Sequence, residues 1–437
     1  MTISSSNPFL WGAATAAHQV EGNNTNSDYW VMEQIPGGLF KEPSGDACDH
    51  YHRYREDIKL LADLGLNSYR FSIEWARIEP EEGVFSAEEI AHYRDMLLVC
   101  HEYGLTPIVT LHHFSSPRWL ISAGGWLNER TPARFATYAR KVVQELGDLL
   151  SYVCTINEAN IISVALLTID TRDRGLGEAE TNAPVGIQDQ ALSKPSAYMQ
   201  NWLAQVAPQF NVRPDQLYPF ILTIAPERRQ VILGAHKQAR EAIKAINPAL
   251  QVGITLALPD LQSVEGSEAR LREVEQAVYL NYLEALHQDD FVGVQTYSRS
   301  IVGPNGVLPV PEGAERTQMG NEFYPEALEG ALRRVARHLS LPIMVTENGV
   351  ATDDDSRRIE YIRRAVAGMQ RCLADGLPII GYQHWSALDN FEWMLGFDKH
   401  FGLISVNRQT QERTLKESAY FLGNLAKAAL QEEKAHL

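Results

Sequence analysis

YVCTINEAN, residues 152–160, begins as the inside of a protein and ends as something else. Its apolar and β-branched residues suit a buried strand, which Asn157 and Glu158 then close with an amide and a carboxylate. A charge cannot sit in an apolar interior without a partner or a shifted pKa. A strand that finishes this way is placing chemistry at its C-terminal end, so the endings of the other strands matter.

Seven more runs have the same character: FLWGAATA (9–16), SYRFSI (68–73), TPIVTLH (106–112), QVGITLAL (251–258), FVGVQTY (291–297), PIMVTENG (342–349) and IIGYQHWS (379–386). Unbroken apolar runs of this length fit strands covered on both faces, as in a parallel sheet. Amphipathic segments lie between them. In HRYREDIKLLADLG, Tyr54, Ile58 and Leu61 share a face and Gly65 ends the helix. In ERTPARFATYARKVVQELG, Thr131 is the expected N-cap, Pro132 opens the first turn and Gly147 follows the last. Helices are also expected over 228–246, 268–288, 322–339, 355–375 and 415–430. The alternation implies the α/β class: a single (β/α)8 barrel of the TIM type over residues 1–437. Residues 165–227, punctuated by six prolines, are an enlarged loop region after the fourth strand.

Composition narrows the function. The chain of 437 residues has 39 Lys and Arg against 55 Asp and Glu, a net charge of −16. That surface argues against nucleic acid or an anionic membrane as partner. Cys48, Cys100, Cys154 and Cys372 are too scattered for a disulfide framework or a metal site, and no cofactor motif is present. Scattered thiols favour the cytoplasm. ATAA near the N-terminus resembles a cleavage site, but without a basic segment before it the protein is expected to stay unexported.

The strand ends themselves carry Gln19, Arg70, His112 with His113, Asn157 with Glu158, Tyr297, Glu347 with Asn348, and Trp385. In a barrel these positions converge on one pocket. TINE and VTEN each end an apolar strand in Glu beside Asn. Two carboxyls facing across a pocket are what glycoside cleavage needs, one protonating the leaving oxygen and the other attacking carbon or activating water. The alternative is that each Glu caps a helix or closes a salt bridge.

Six motifs in order, FLWGAATAAHQVEG, YRFSIEWARIEP, TLHHFSSP, TINEAN, VTENG and WSALDNFEWMLGFDKHFGL, make the chain resemble glycoside hydrolase family 1, the β-glucosidase family. The resemblance covers nearly the whole chain outside 160–227. It implies a retaining β-glycosidase, foremost a β-glucosidase, acting on small-molecule β-glycosides without a cofactor. Glu158 matches the acid/base and Glu347 the nucleophile, at a separation of roughly 5 Å. Arg70 and Tyr297 match donors to the nucleophile, and Asn157 and His113 match donors to the sugar's 2- and 3-hydroxyls. Gln19, Glu392 and Trp393 match the groups reading the 3-, 4- and 6-hydroxyls, and Trp385 the platform under the ring. A cis peptide between Trp385 and Ser386 is also implied. Structural alternatives stand beside these: Arg70 as a salt bridge, Trp385 and Trp393 as core aromatics, His112 as packing. Glu21, Glu74, Asp389 and His384 read as supporting charges, and RRIEYIRR as a solvated helix face.

Three departures from the family pattern carry expectations. Ala159 stands where proline is usual and should loosen the backbone after the acid/base. Gln295 stands where asparagine is usual and should change the tuning of Glu158. HHFSSP replaces an HWDLP-like run, with His113 and Pro117 still aligned. The rival readings are a transglycosylase using the same glutamates, a 6-phospho-β-glycosidase, disfavoured by the carboxylate of Glu392, and a non-catalytic sugar-binding barrel. Residues 165–227 are expected beside the leaving group, with Tyr198, Trp202 and Phe220 either shaping the aglycone site or forming a small core of their own.

Overall fold

All eight apolar runs are strands in the computed structural model, which describes residues 8–172 and 197–436. We label them β1 (Leu10–Ala14), β2 (Ser68–Ser72), β3 (Thr106–His112), β4 (Tyr152–Ile156), β5 (Gln251–Ala257), β6 (Phe291–Gln295), β7 (Ile343–Asn348) and β8 (Ile379–Trp385). Each pairs in parallel with its sequence neighbour, and β1 pairs with both β2 and β8, which closes the barrel. Asn67 pins the closure: its side chain accepts from Trp11 N and donates to Phe9 O, tying β1 to the start of β2.

Two apolar layers hold the barrel. Leu10, Ile108, Cys154, Phe291 and Met344, from five different strands, pack on one another inside it. The alternate residues, such as Val109, Val153, Val292 and Val345, join the larger core between strands and helices. The strands are therefore apolar on both faces, which is why their sequences do not alternate. The exception is β7, whose pairing slips after Val345 on both sides. Such irregularities re-aim side chains, and here the residues re-aimed are Glu347 and Asn348.

Several expected helix details change. Gly65 does end its helix in the left-handed region. Thr131, however, lies inside the helix Thr131–Leu146, and its hydroxyl donates to Gly125 O instead of accepting from the first turn. The expected helix over 268–288 is interrupted by a π turn at Gln276–Leu280. In RRIEYIRR, Arg358 is not solvated: it is buried and donates to the carbonyls of Thr352 and His400. Within 165–227, the described residues form helices Ile161–Arg172 and Ala197–Val206 with two short 3-10 turns. Trp202 and Phe220 are buried in the main core, Phe220 against His112, Phe114 and Trp126, so they extend the barrel's core instead of forming one of their own. Tyr198 is exposed and donates to Gly38 O; residues 173–196 lie outside the described residues. Among the described residues no helix is long and apolar enough to cross a membrane.

Gly12 shows how tightly β1 is seated. A Cβ there would lie 2.1 Å from Gln383 Oε1 and 2.3 Å from Ser68 O. Gly234, in the helix Arg228–Ile246, has room: its nearest neighbour would be Pro132 Cγ at 3.4 Å. Gly12→Ala is expected to destabilise by about 1–3 kcal/mol through overpacking, and Gly234→Ala to stabilise by roughly 0.5–1 kcal/mol through helix propensity. Denaturant melts of the two variants should move in opposite directions.

Candidate active site

Glu347 leaves β7 at the irregular pairing and is met by three donors. Arg70 Nη1 lies 2.7 Å and Gln295 Nε2 2.9 Å from its Oε1, and Tyr297 OH 2.6 Å from its Oε2. Arg70, buried in the barrel on β2, also donates from Nη1 to Thr346 O and from Nη2 to Asn157 Oδ1 at 2.7 Å. Burial raises the pKa of Glu347, and Arg70 and the Tyr297 hydroxyl offset only part of that rise.

Glu158 is treated differently. It follows β4 in the left-handed region, φ 43°, a conformation that costs a non-glycine residue roughly 1–3 kcal/mol. Thr255 on β5 holds it there: its hydroxyl accepts from Glu158 N at 3.0 Å and its carbonyl from Ala159 N at 3.1 Å. A proline would lack that second N–H. Ala159 therefore pins the backbone after Glu158, contrary to the expected loosening. No hydrogen bond reaches the Glu158 carboxyl among the described residues. Burial pushes its pKa well above the ordinary range, and the charge of Glu347 pushes it further. One carboxyl is equipped to stay ionised and the other to keep its proton.

Around this pair the structure gathers the other expected residues. Asn157 Oδ1 accepts from Arg70, Gln295 and Thr255, which turns its Nδ2 toward His113 Nε2 at 3.1 Å. Burial drives the pKa of His113 far down, so the ring is neutral. With Nε2 accepting, the proton is assigned to Nδ1. His113 stacks between Trp385, 5.7 Å away, and Trp393, 6.0 Å away. Gln19 Nε2 donates to Phe391 O and Asn390 Oδ1 and reaches Glu392 Oε2 at 3.5 Å. Burial, then the charge of Glu347, raises the Glu392 pKa to about 8. The Trp385–Ser386 peptide is cis. The buried polar atoms here without a protein partner among the described residues include Gln19 Oε1, His113 Nδ1, Trp385 Nε1 and Glu392 Oε1. Buried polar atoms are nearly always paired, so their convergence marks a surface built to hold a polyhydroxylated molecule.

The model of glycosyl hydrolase family 1 matches residues 2–172 and 309–430. This chain belongs to glycosyl hydrolase family 1. It is 31% identical to β-glucosidase A of Acetivibrio thermocellus over 96% of this chain and 97% of that one. It is 30% identical to a bifunctional β-D-glucosidase/β-D-fucosidase of Bifidobacterium breve, with the same coverage. The crystal structure of the β-glycosidase BGL167 superposes with a TM-score of 0.87 at 50% identity, covering 96% of both chains. As a family 1 member the protein is a glycoside hydrolase on a (β/α)8 barrel.

Other expected residues stay outside the pocket's polar surface. His112 bonds Ser116 Oγ and packs on Trp126 and Phe220. Glu21 pairs with Arg77 and Tyr93, Glu74 accepts from Ser115 and Ala76 N, and Asp389 pairs with Lys416. His384 is buried, with its pKa lowered by that burial to about 3. Thr255, Asn390 and the Gln295 contact to Glu347 had no distinguishing motif. Only position near a strand end could have flagged the first and last.

Arg70 makes the whole arrangement affordable, since its loss leaves a buried carboxylate with one charged partner fewer. Arg70→Met is expected to lower stability at neutral pH by about 3 kcal/mol. Without the guanidinium the folded-state pKa of Glu347 rises further above its unfolded value. The penalty should therefore shrink as pH falls through that raised pKa and Glu347 takes up a proton. Urea melts across pH would read this out.

Proposed function

We propose that this glycoside hydrolase is a retaining β-glucosidase acting by double displacement. Glu347 attacks the anomeric carbon while Glu158 gives its proton to the departing glycosidic oxygen. The covalent glycosyl-enzyme then reacts with a water that Glu158, now a carboxylate, deprotonates. The observation that carries this reading is the asymmetry of the two carboxyls: among the described residues, three donors reach Glu347 and none reaches Glu158. The unpartnered atoms on Gln19, His113, Trp385 and Glu392 support binding of a single terminal sugar, with Asn157 and His113 on its 2- and 3-hydroxyls. Trp385 would stack on the C–H face of the ring. The relatives' names favour glucosides first and fucosides second, with galactosides also in range. A 6-phosphate would meet the carboxyl of Glu392 instead of cations, which counts against phosphorylated substrates. On this reading the whole chain is one catalytic domain, with the described part of 165–227 on the leaving-group side because it departs directly from Glu158. The cytoplasm as its place of action is supported by four buried thiols, none of them in a disulfide.

A panel of aryl β-glycosides tests the sugar. The wild type should hydrolyse the glucoside at least as fast as the galactoside or fucoside, and the 6-phosphoglucoside not measurably. Glu347→Ala should lose activity by a factor of roughly a thousand or more, and a 2-deoxy-2-fluoroglucoside should label Glu347 in the wild type, as read by peptide mass. A label on another carboxylate would reject the assignment.

Glu158→Ala should cost roughly a hundredfold or more on substrates with poor leaving groups, yet little on dinitrophenyl glycosides, which depart without a proton. Its alkaline limb should vanish as well. Glu158 works protonated, so wild-type kcat/KM falls as pH rises through its elevated pKa; removing the group removes that fall. Equal losses on both substrate types would count against Glu158 as the acid.

A further inference from the structure

Gln295 closes a ring of hydrogen bonds that the family pattern does not foreshadow. Arg70 donates from Nη1 to Glu347 Oε1 and from Nη2 to Asn157 Oδ1, both at 2.7 Å. The single Nε2 of Gln295 donates to the same two oxygens, at 2.9 Å and 2.8 Å. The ring thus runs from the guanidinium through the carboxylate, the Gln295 amide nitrogen and the Asn157 carbonyl back to the guanidinium. We propose that Gln295 is a positioning residue that ties Glu347, as nucleophile, to Asn157, as reader of the sugar's 2-hydroxyl, and sets both at once.

The chemistry requires a neutral amide of this length. Its nitrogen has two protons, one for each acceptor. Gln295 ends β6, in register with Glu347 on β7 and Ala257 on β5, so its side chain starts beside the nucleophile and must still cross to the end of β4. Asparagine, one methylene shorter, would draw the amide nitrogen back toward β6 and away from the two oxygens. A second cation there would overcharge the pair, and a carboxylate would repel Glu347. Gln295 is buried, so no solvent competes for its protons. By filling Asn157 Oδ1 it also keeps the amide from flipping, which leaves Asn157 Nδ2 facing His113 and the sugar side. The expected effect of Gln295 on Glu158 is thus corrected: its contacts are to Glu347 and Asn157.

The inference rests on Glu347 being the nucleophile, and the test separates the two. Wild-type enzyme is first labelled with the 2-deoxy-2-fluoroglucoside; a label elsewhere sinks the catalytic reading itself. With Glu347 labelled, Gln295→Met and Gln295→Asn are compared with wild type, each checked for a cooperative melt. In both variants Glu347 loses support for its ionised form, so the acid limb of kcat/KM should move up by about one pH unit. Labelling by the fluoroglucoside at neutral pH should slow roughly tenfold. The preference for a glucoside over its 2-deoxy analogue should shrink, because Asn157 is freed. A purely structural residue would lower the melt without moving the acid limb or the 2-deoxy ratio. Should both stay at wild-type values in a folded variant, the proposal is wrong.

Discussion

A guanidinium and a carboxylate, both out of water, face each other at 2.7 Å in the mouth of the barrel. Removing each from solvent costs several kcal/mol, and their attraction offsets this only when the remaining donors and acceptors are also satisfied. Arg70 meets most of that condition, with Nη1 and Nη2 on Glu347, Thr346 O and Asn157 while its buried Nε has no partner among the described residues, and Glu347 meets it with Arg70, Gln295 and Tyr297. Four strands or their ends, β2, β4, β6 and β7, together with Tyr297 two residues beyond β6, are committed to these contacts. The irregular pairing of β7 follows from the same need, because a regular strand would not turn Glu347 toward Arg70.

That ion pair creates the difference between the two glutamates. Once Glu347 is fixed as the charged member, a second buried carboxyl nearby is stabilised in its protonated form by burial and by repulsion. Glu158 needs no donor of its own to keep its proton; it needs a backbone that holds it in place. Thr255 supplies this by bonding the two N–H groups on either side of the left-handed turn. The aromatic wall of the pocket is built by different means. His18 stacks on the far side of Trp393 and pairs with Glu33, and Tyr29 packs on the same indole, so the aromatic surface is held from behind.

Much of this was legible in one dimension. Strand runs are local, so all eight could be read from apolar continuity, with ends moved by only a residue or two. Glu158, Glu347, Arg70 and Tyr297 stood out because a polar group at the end of an apolar run has no local excuse. The errors also have local causes. Thr131 looked like a cap because a hydroxyl before Pro132 usually is one, but Gly125 O captured it. Arg358 looked solvated because its neighbours are charged, although carbonyls from two loops claim it.

Periodicity and motif order determined the barrel, its strand count and the pair of carboxyls, since each depends on residues within a few positions of one another. The roles of Thr255 and Gln295 were decided only by closure of the sheet. Thr255 meets Glu158 across 97 residues of chain, and Gln295 meets Asn157 across 138. Nothing local distinguishes such a threonine or glutamine from any other near a strand end. Their function comes from the parallel register, which places the ends of β4, β5, β6 and β7 side by side. A hydrogen bond depends on that distance in space, and separation along the chain carries no information about it.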